Sequence, residues 1–587
     1  MKEVNEKLQI LRHSASHILA DAIKRLYPGV KLAIGPAIED GFYYDFDFSG
    51  CELSEEGRGN FLKPEDLPRI RKEMIKIIKE NSDFERIEMN KKDALKKFKE
   101  IGENYKVELI EGLEDDVVSI YKHGGFEDLC KGPHLESTKK IGAFKLLSIA
   151  GAYWKGSEAN AMLQRIYGTA FETKDELNEF LRIREEAQKR DHRKLGKELE
   201  LFSFNDLVGA GLVLYHPKGA MLRQLIADYI TKKHIAKGYQ LITSPQILKS
   251  DIWVKSGHYE YYKENMYIFD VDGQEFAVKP MNCPGHILVY ASKKRSYKEL
   301  PIRFFELGNV YRHEKSGVLH GLLRVRGFTQ DDAHIFCLKE QAEEEIIKVI
   351  DFVDETLKVF GFDEVEVELS TQPEKYIGLQ EDWEEATTAL KNALEKKKIE
   401  YDINEGDGAF YGPKIDIKLK DALGRSWQCA TIQCDFALPE RFDLKYTDSD
   451  GREKRPIMLH RVILGSLERF MGAVIEHYGG DFPVWLAPVQ VMLVPITDAH
   501  AQYSENVAKE LKKLGFRVDI DKRSEKMQKK IRDAELAKIP YMAIVGQKEI
   551  EEGTVSLRSR KEGDIGAIKK EDLIVRLREE TKAATVY

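Results

Sequence analysis

The tightest constraint on this chain lies between Phe276 and Cys337, FAVKPMNCPGHILVYASKKRSYKELPIRFFELGNVYRHEKSGVLHGLLRVRGFTQDDAHIFC, where a thiol, imidazoles, arginines and acids sit between apolar, strand-like runs. Pro284 and Gly285 predict a turn that leaves Cys283 at the end of the AVKPM strand. The run IRFFELGNVY leads into Arg312 and Glu314, and Arg324 and Arg326 open the next apolar run after a loop rich in Ser, Gly and His. A hairpin with arginine at both ends of its loop can hold a polyphosphate, because the guanidinium fork makes bidentate contacts that lysine cannot. Gln330, Asp332 and His334 alternate along the second strand and so share one face.

A lone cysteine is usually a small buried hydrophobe and a lone histidine a satisfied polar group. His460, in PIMLHRVILGSLERF, adds a third candidate. One thiolate with two imidazoles suits zinc and leaves a fourth position open, as in a working rather than a structural site. Two more pairs stand near the N-terminus. His13 and His17 in HSASHILADAIKRLY are four apart and project from one helical face, and Cys130 and His134 in EDLCKGPH repeat the spacing. Spacing alone fits either a tetrahedral zinc site or a helix with two solvated histidines beside an unrelated loop.

Length and composition set the class: 587 residues, 42% hydrophobic and 33% charged, describe a globular chain of three or four domains. A net charge of −8 argues against a generally basic nucleic-acid coat while allowing local basic patches. Six unevenly spaced cysteines point to a reducing compartment, and neither an apolar signal core nor a membrane-length run is present, so a cytoplasmic protein with no membrane partner is expected. No GxGxxG or GxxxxGK[ST] fingerprint appears, which agrees with an antiparallel sheet rather than a Rossmann domain.

The arginine hairpin around RHE, followed by GSLERF with Arg469 at a helix start, resembles motifs two and three of class II aminoacyl-tRNA synthetases. MNCPGH, RVRGFTQDDAHIFC, GAFYGPKID and HRVILGSLERF together resemble the threonyl-tRNA synthetases, over nearly the whole chain. The resemblance implies ATP-dependent ligation of L-threonine to tRNA(Thr) through threonyl-adenylate. It implies Mg2+ with ATP, one Zn2+ per subunit on Cys283, His334 and His460, and a homodimer built on motif one, GYQLITSPQIL. It assigns catalysis to Arg312, Arg469, His258 and Lys414, and substrate contacts to Asp332, Gln330, Tyr411, Gln433 and Gln428, with Thr431, Glu314, Arg324 and Ser466.

HxxxH with CxxxH resembles the editing domain shared by threonyl and alanyl synthetases, which in the threonyl branch works without metal. This implies hydrolysis of seryl-tRNA(Thr) by His13, His17, Cys130 and His134, with Asp128 and Lys106; Tyr43 and Tyr44 fit either the pocket or plain sheet packing. Two sites make physical sense. Valine lacks the hydroxyl that a metal demands, whereas serine lacks only a methyl, worth roughly 1–3 kcal/mol of discrimination.

The expected fold is α+β and multidomain: an editing domain over 1–172, a solvated linker helix over 173–200, a class II antiparallel core over 201–485, and an α/β anticodon-binding domain with a largely parallel sheet over 486–587. In the linker, HRK is a candidate nucleic-acid contact. In the core, GAFYGPKIDIKLKD reads as a pair of hairpin strands. In the last domain Glu549 and Arg558 match positions that read anticodon bases. The ubiquitin-like domain common ahead of the editing domain is expected to be missing. Two alternatives are an idle tRNA-binding paralogue and a free-standing deacylase; both predict damage to the arginines or the zinc trio, and Arg312, Arg469, Cys283, His334 and His460 are all present.

Overall fold

A computed structural model describes residues 2–51, 61–157, 159–421 and 423–582. It divides into two compact units, Met1–Glu185 and Glu186–Tyr587.

In the first unit, the helix Lys2–Leu26 carries Leu11, Ala15, Ile18, Leu19, Ala22 and Ile23 along one buried face. That face packs on Phe42, Tyr44 and Phe46 of the strand Gly41–Asp47. The strand belongs to an antiparallel sheet ordered Lys31–Leu32, Gly41–Asp47, Met162–Phe171, Ala143–Tyr153. Strand alternation separates the two tyrosines of GFYYDFD: Tyr44 is buried, whereas Tyr43 lies under the Arg165 guanidinium, 3.8 Å from its ring centre. A smaller antiparallel sheet, Glu85–Asn90, Val117–His123 and Phe126–Leu129, delivers the chain to Cys130 and His134.

The second unit is built on an eight-stranded sheet ordered Gln240–Leu241, Ile302–Tyr311, Gly327–Cys337, Ile457–Ser466, Ser426–Asp435, Lys414–Lys420, Val365–Ser370, Asp402–Asn404. Only the two outermost pairs are parallel. Helices Pro217–Ala236, Ala342–Val359, Gln380–Lys397 and Leu467–Tyr478 share one apolar core with a single face of this sheet, where Ala333, Ile335 and Leu459 point. Asp332, His334 and His460 alternate with these residues and occupy the other face.

Between Gln330 and Asp332 the ladder slips: Gln330 faces Ser466 while Asp332 faces Val462. The extra residues bulge around Asp331, whose buried carboxylate accepts from Ile463 N at 2.9 Å, Leu464 N at 3.0 Å and Gly465 N at 2.9 Å. Gly465 has φ +78°, and a Cβ there would lie 2.6 Å from the Cys429 carbonyl oxygen, so the bulge requires glycine.

Several expectations are corrected. Cys283 does not end a strand: it opens the helix Cys283–Ala291, because proline fits a helix's first turn, where its missing N–H is not needed. GAFYGP forms a turn, and only Lys414–Lys420 is strand, pairing with Ser426–Asp435. The linker is two helices, Lys174–Arg190 and His192–Glu198, broken where Asp191 accepts from Arg193 N at 2.8 Å; His192 is fully buried, which removes it as a nucleic-acid contact. The C-terminal sheet, Val518–Ile520, Val491–Pro495, Tyr541–Val545, Thr554–Ser559, Gly563–Lys569, is parallel only in its first three strands. The six-residue helix Gln547–Glu552 is too short for a parallel crossover, so the chain turns back antiparallel.

Removing the bulge's anchor tests its weight. Asp331→Ala orphans three amides, two of them buried, and is expected to lower stability by about 2–4 kcal/mol, read as a lower urea midpoint for the second unit's transition. An unchanged midpoint would show that the amides find other partners.

Candidate functional site

The Cys283 thiol and the His334 and His460 imidazoles come from a helix start and two adjacent strands, His334 standing directly opposite His460 in the ladder. Their ligand atoms lie within 4.8 Å of one another. The surrounding hydrogen bonds fix the tautomers. Asp435 Oδ2 lies 2.7 Å from His460 Nε2 and can only accept, so that nitrogen carries hydrogen and Nδ1 is bare. Glu306 takes the His286 Nε2–H at 3.2 Å, which leaves His286 Nδ1 to accept from His334 Nδ1–H at 2.9 Å. His334 Nε2 then faces His460 Nδ1 at 3.0 Å with neither carrying a proton. Two lone pairs so placed beside a thiol repel one another unless a cation sits among them, and the S, N, N donor set fits zinc. Glu306 is itself secured: burial works against its charge, but His286, Ser244 and Lys279 prevail and hold the carboxyl at about 2.

Asp332 stands two residues before His334, receives Asn282 Nδ2 at 3.0 Å, and is pushed up by burial. Asn282 Oδ1 is buried and has no protein partner. Tyr411 stands between the His258 and His460 rings, 6.0 and 5.4 Å away. Gln433, opposite His460, is held by Gly412 O at 3.0 Å.

A ladder slip between Ile417 and Lys418 on the neighbouring strand returns Gln428 to the face of Thr431. Both bind Asp416 Oδ1, at 3.1 and 2.7 Å, and Lys414 Nζ lies 2.7 Å from Asp416 Oδ2. Asp416 is the hub that these sequence-predicted residues share.

The arginines converge from separate elements. Arg312 leaves the end of Ile302–Tyr311, lies 5.2 Å over the Phe328 ring and donates to Pro280 O at 3.1 Å. Arg469, on the first turn of Leu467–Tyr478, donates to Leu323 O at 3.1 Å; Ser466 caps that helix by accepting from Arg469 N at 3.1 Å. Burial, then Arg312 and Arg324, depress the Arg469 guanidinium below its ordinary value. That mutual repulsion of cations marks a place for anions. Arg324 is paired with Glu314 at 2.9 Å at the rim.

His258 is buried; its Nδ1 contacts Ser256 Oγ at 2.8 Å and its Nε2 has no protein partner. Ser256 gives its own proton to Trp253 O, so Nδ1–H is the donor and Nε2 is a free acceptor. Burial, with His460 and Arg312 nearby, lowers the imidazole to about 3 and keeps it neutral.

In the first unit, His13 Nε2 and His134 Nε2 each lie 3.2 Å from Cys130 Sγ, and the His17 ring is 4.3 Å from the His134 ring. Burial lowers His13, sends His17 well down, takes His134 to about 2 and lifts the Cys130 thiol to about 12. The four groups are therefore neutral hydrogen-bonding groups. The charge lies beside them, in Lys106 Nζ, which is 2.6 Å from Asp128 Oδ1 and 3.0 Å from the Tyr44 hydroxyl. Tyr44 joins this set and Tyr43 does not.

In the C-terminal domain Glu549 accepts from Gly546 N at 2.9 Å, and Arg558 pairs with Glu535 at 3.2 Å across exposed surface. The sequence reading missed Asn282, His286, Glu306, Asp331, Asp416 and Asp435. Most act through partners distant in the chain; the proximity of Asn282 and His286 to Cys283 in MNCPGH and of Asp416 to Lys414 offered local signals.

Residues 264–478 match the tRNA synthetase class II core domain (G, H, P, S and T), residues 490–580 the anticodon binding domain, and residues 118–167 the threonyl and alanyl tRNA synthetase second additional domain. The chain is 56% identical over 577 residues to a threonine–tRNA ligase of Pelobacter propionicus, covering 98% of this chain and 89% of that one. It is 57% identical over 578 residues to that of Geobacter sp. (strain M21), with the same 98% and 89% coverage. A crystal structure of the RNA binding domain of threonyl-tRNA synthetase from Cryptosporidium parvum Iowa II aligns with TM-score 0.65 and 42% identity over 66% of this chain and 98% of that one.

The depressed histidines predict an acid-sensitive N-terminal pocket. A buried imidazole whose folded value is lowered contributes stability above its unfolded value near 6.5, and the contribution is lost as pH falls below it, by up to about 1.4 kcal/mol per pH unit for each group. The first unit's thermal midpoint is expected to fall between pH 7 and pH 5, and less steeply in His134→Gln. A midpoint flat over that range would contradict the burial of these rings.

Proposed function

This chain belongs to the threonine–tRNA ligase family, and on that footing we propose which of its residues carry each step of joining L-threonine to tRNA(Thr) at the expense of ATP. The observation that carries the assignment is one sheet face holding both a converging set of guanidiniums and a Cys, His, His donor set. Arg312 and Arg324 take the α-phosphate end and the rim of bent ATP, Arg469 reaches the γ-phosphate side, Glu314 helps seat the nucleotide, and Mg2+ accompanies the phosphates. The threonine carboxylate attacks the α-phosphorus in line, and pyrophosphate leaves from the opposite side. Ser466 and Lys414 approach from strand ends and Gln330 from the position opposite Ser466, and Gln428 and Thr431 hold the face through Asp416.

Cys283, His334 and His460 would hold one Zn2+ per subunit, which would supply a Lewis-acidic centre for threonine's amino group and hydroxyl. Asp332, fixed by Asn282, receives the substrate, with Tyr411 and Gln433 beside it. Valine offers no hydroxyl to such a site and is rejected. In the second step the terminal ribose hydroxyl of tRNA attacks the adenylate carbonyl and AMP departs. His258 accepts the hydroxyl proton at Nε2, the nitrogen that the Ser256 contact leaves bare.

Seryl-tRNA(Thr) escapes the first selection, since one methyl is worth only about 10–200-fold. The N-terminal pocket hydrolyses it. His13, His17, Cys130 and His134 are neutral there and position water and substrate by hydrogen bonds, and Lys106, set by Asp128 and Tyr44, supplies a fixed positive charge near the ester. The anticodon loop falls to the C-terminal domain, where Arg558 and Glu549 lie on a strand and on the helix leading into it. A homodimer is supported by exposed apolar side chains around motif one, Met221, Ile235, Leu241 and Ile247. A cytoplasmic site of action agrees with free cysteines throughout and with no described helix long and apolar enough to cross a membrane.

The purified full chain is expected to catalyse ATP–pyrophosphate exchange with threonine, weakly with serine and not with valine, and to carry about one zinc per chain. Cys283→Ala should lower bound zinc and threonine-dependent exchange together by at least about 100-fold. His13→Ala should abolish seryl-tRNA(Thr) hydrolysis and leave exchange intact. A folded, zinc-loaded protein with no exchange for any amino acid would falsify the synthetase reading and leave the N-terminal pocket as the only activity.

A further inference from the structure

One buried group outside these assignments ties together three elements of the second unit. His192, the first residue of the helix His192–Glu198, is fully buried. Its Nδ1 lies 2.6 Å from Glu476 Oε1, which also accepts its backbone N–H at 3.0 Å. Its Nε2 accepts the backbone N–H of Leu322 at 3.0 Å. The carboxylate cannot donate, so the ring hydrogen is on Nδ1, and Nε2 presents the lone pair that the Leu322 amide needs. Both nitrogens are thus engaged, and the cluster Asp191, His192, Glu476 retains no imidazole lone pair for a metal.

Each partner leads to the arginine set. Glu476 lies on the helix that carries Arg469, and its other oxygen pairs with Arg425 at 2.7 Å, which fixes the carboxylate. Leu322 is buried in the loop of the arginine hairpin. A tight turn there is closed by Arg324 N and His320 N, which bond His320 O and Arg324 O at 3.3 and 3.1 Å. Gly321, at φ +49°, sits so close that a Cβ would lie 2.1 Å from His192 Nε2. The next residue, Leu323, accepts from Arg469 Nε at 3.1 Å. The loop is therefore held at two consecutive residues, by an imidazole at one and by a proposed phosphate-binding arginine at the other.

We propose that His192 is a positioning residue for ATP: its Nε2, through the Leu322 amide, fixes the turn from His320 to Arg324 and thereby the spacing of Arg324 and Arg469 before nucleotide arrives. The proposal rests on reading the hairpin as the ATP cradle. His192 touches no substrate. It acts on affinity for ATP, because a loop that must be ordered on binding weakens the complex.

Two substitutions separate the nitrogens. The amide of asparagine reaches the place of Nδ1 and leaves Leu322 unpartnered, whereas that of glutamine reaches the place of Nε2 and can still accept. In threonine-dependent exchange by the full chain, His192→Asn is expected to raise KM for ATP about tenfold, with kcat and KM for threonine within about threefold of wild type. His192→Gln should return KM for ATP to within about threefold of wild type. Hydrogen exchange should show a Leu322 amide deprotected in His192→Asn and protected in His192→Gln, with bound zinc unchanged in both. Gly321→Ala should reproduce the rise in KM and add nothing to it in the His192→Asn background.

Wild-type KM for ATP and wild-type Leu322 protection in His192→Asn would overturn the proposal, as would a rise in KM for threonine as large as that for ATP. Should His192→Asn fail to fold, His192→Gln decides alone: unaltered KM and protection uphold the role, and a tenfold rise with Leu322 still protected refutes it. No exchange by the wild type would sink the ATP-cradle reading instead, and the amide comparison would still tell whether Nε2 holds the loop.

Discussion

The register between the strands Gly327–Cys337 and Ile457–Ser466 is the constraint on which the synthetic site depends. It sets His334 against His460, and after the slip at Asp331 it sets Gln330 against Ser466, where the helix of Arg469 begins. The slip places two extra residues on Ile457–Ser466, an even number, so Val462 and Ser466 keep the same phase while Ser466 rather than Leu464 is brought opposite Gln330. The Asp331 carboxylate accounts for the bulge: it gathers amides that a regular ladder would have paired across the sheet.

Around that register, polar groups are secured in chains rather than as isolated contacts. Asp435 orients His460, and Glu306 orients His286, which orients His334; Asp416 gathers Gln428, Thr431 and Lys414. In each chain a carboxylate stands at the end, since it can only accept and so dictates every proton position inward from it. His192 and Glu476 follow the same rule behind the hairpin loop. The N-terminal pocket uses the opposite device. Its imidazoles and thiol are stripped of charge by burial, and an ionic pair, Lys106 with Asp128, is set beside them.

Discrimination between amino acids divides along these lines. A hydroxyl can be demanded by a site with an open metal position, but a missing methyl cannot be refused strongly by any pocket that admits the larger side chain. The two selections therefore call for different chemistry, one suited to oriented lone pairs and cations, the other to neutral imidazole and thiol groups. The described residues include a buried Cys, His, His donor set and, elsewhere in the chain, histidines lowered by burial.

What the sequence determined was local or periodic. The spacing of His13 and His17, the alternation from Gln330 to His334, the arginines at both ends of one loop and the motif string from MNCPGH to GSLERF were all legible, because each is written within a few residues. The sequence misplaced Cys283, since Pro-Gly serves a turn or a helix start equally well and only the packing of Ile287 and Tyr290 into an apolar cluster decides between them. It likewise treated His192 as a surface residue of a charged helix. Tertiary structure alone decided the tautomers, the bulges and the carboxylate hubs, because Asp331, Asp435, Glu306 and Glu476 gain their meaning from backbone and ring atoms that the chain brings to them across long separations.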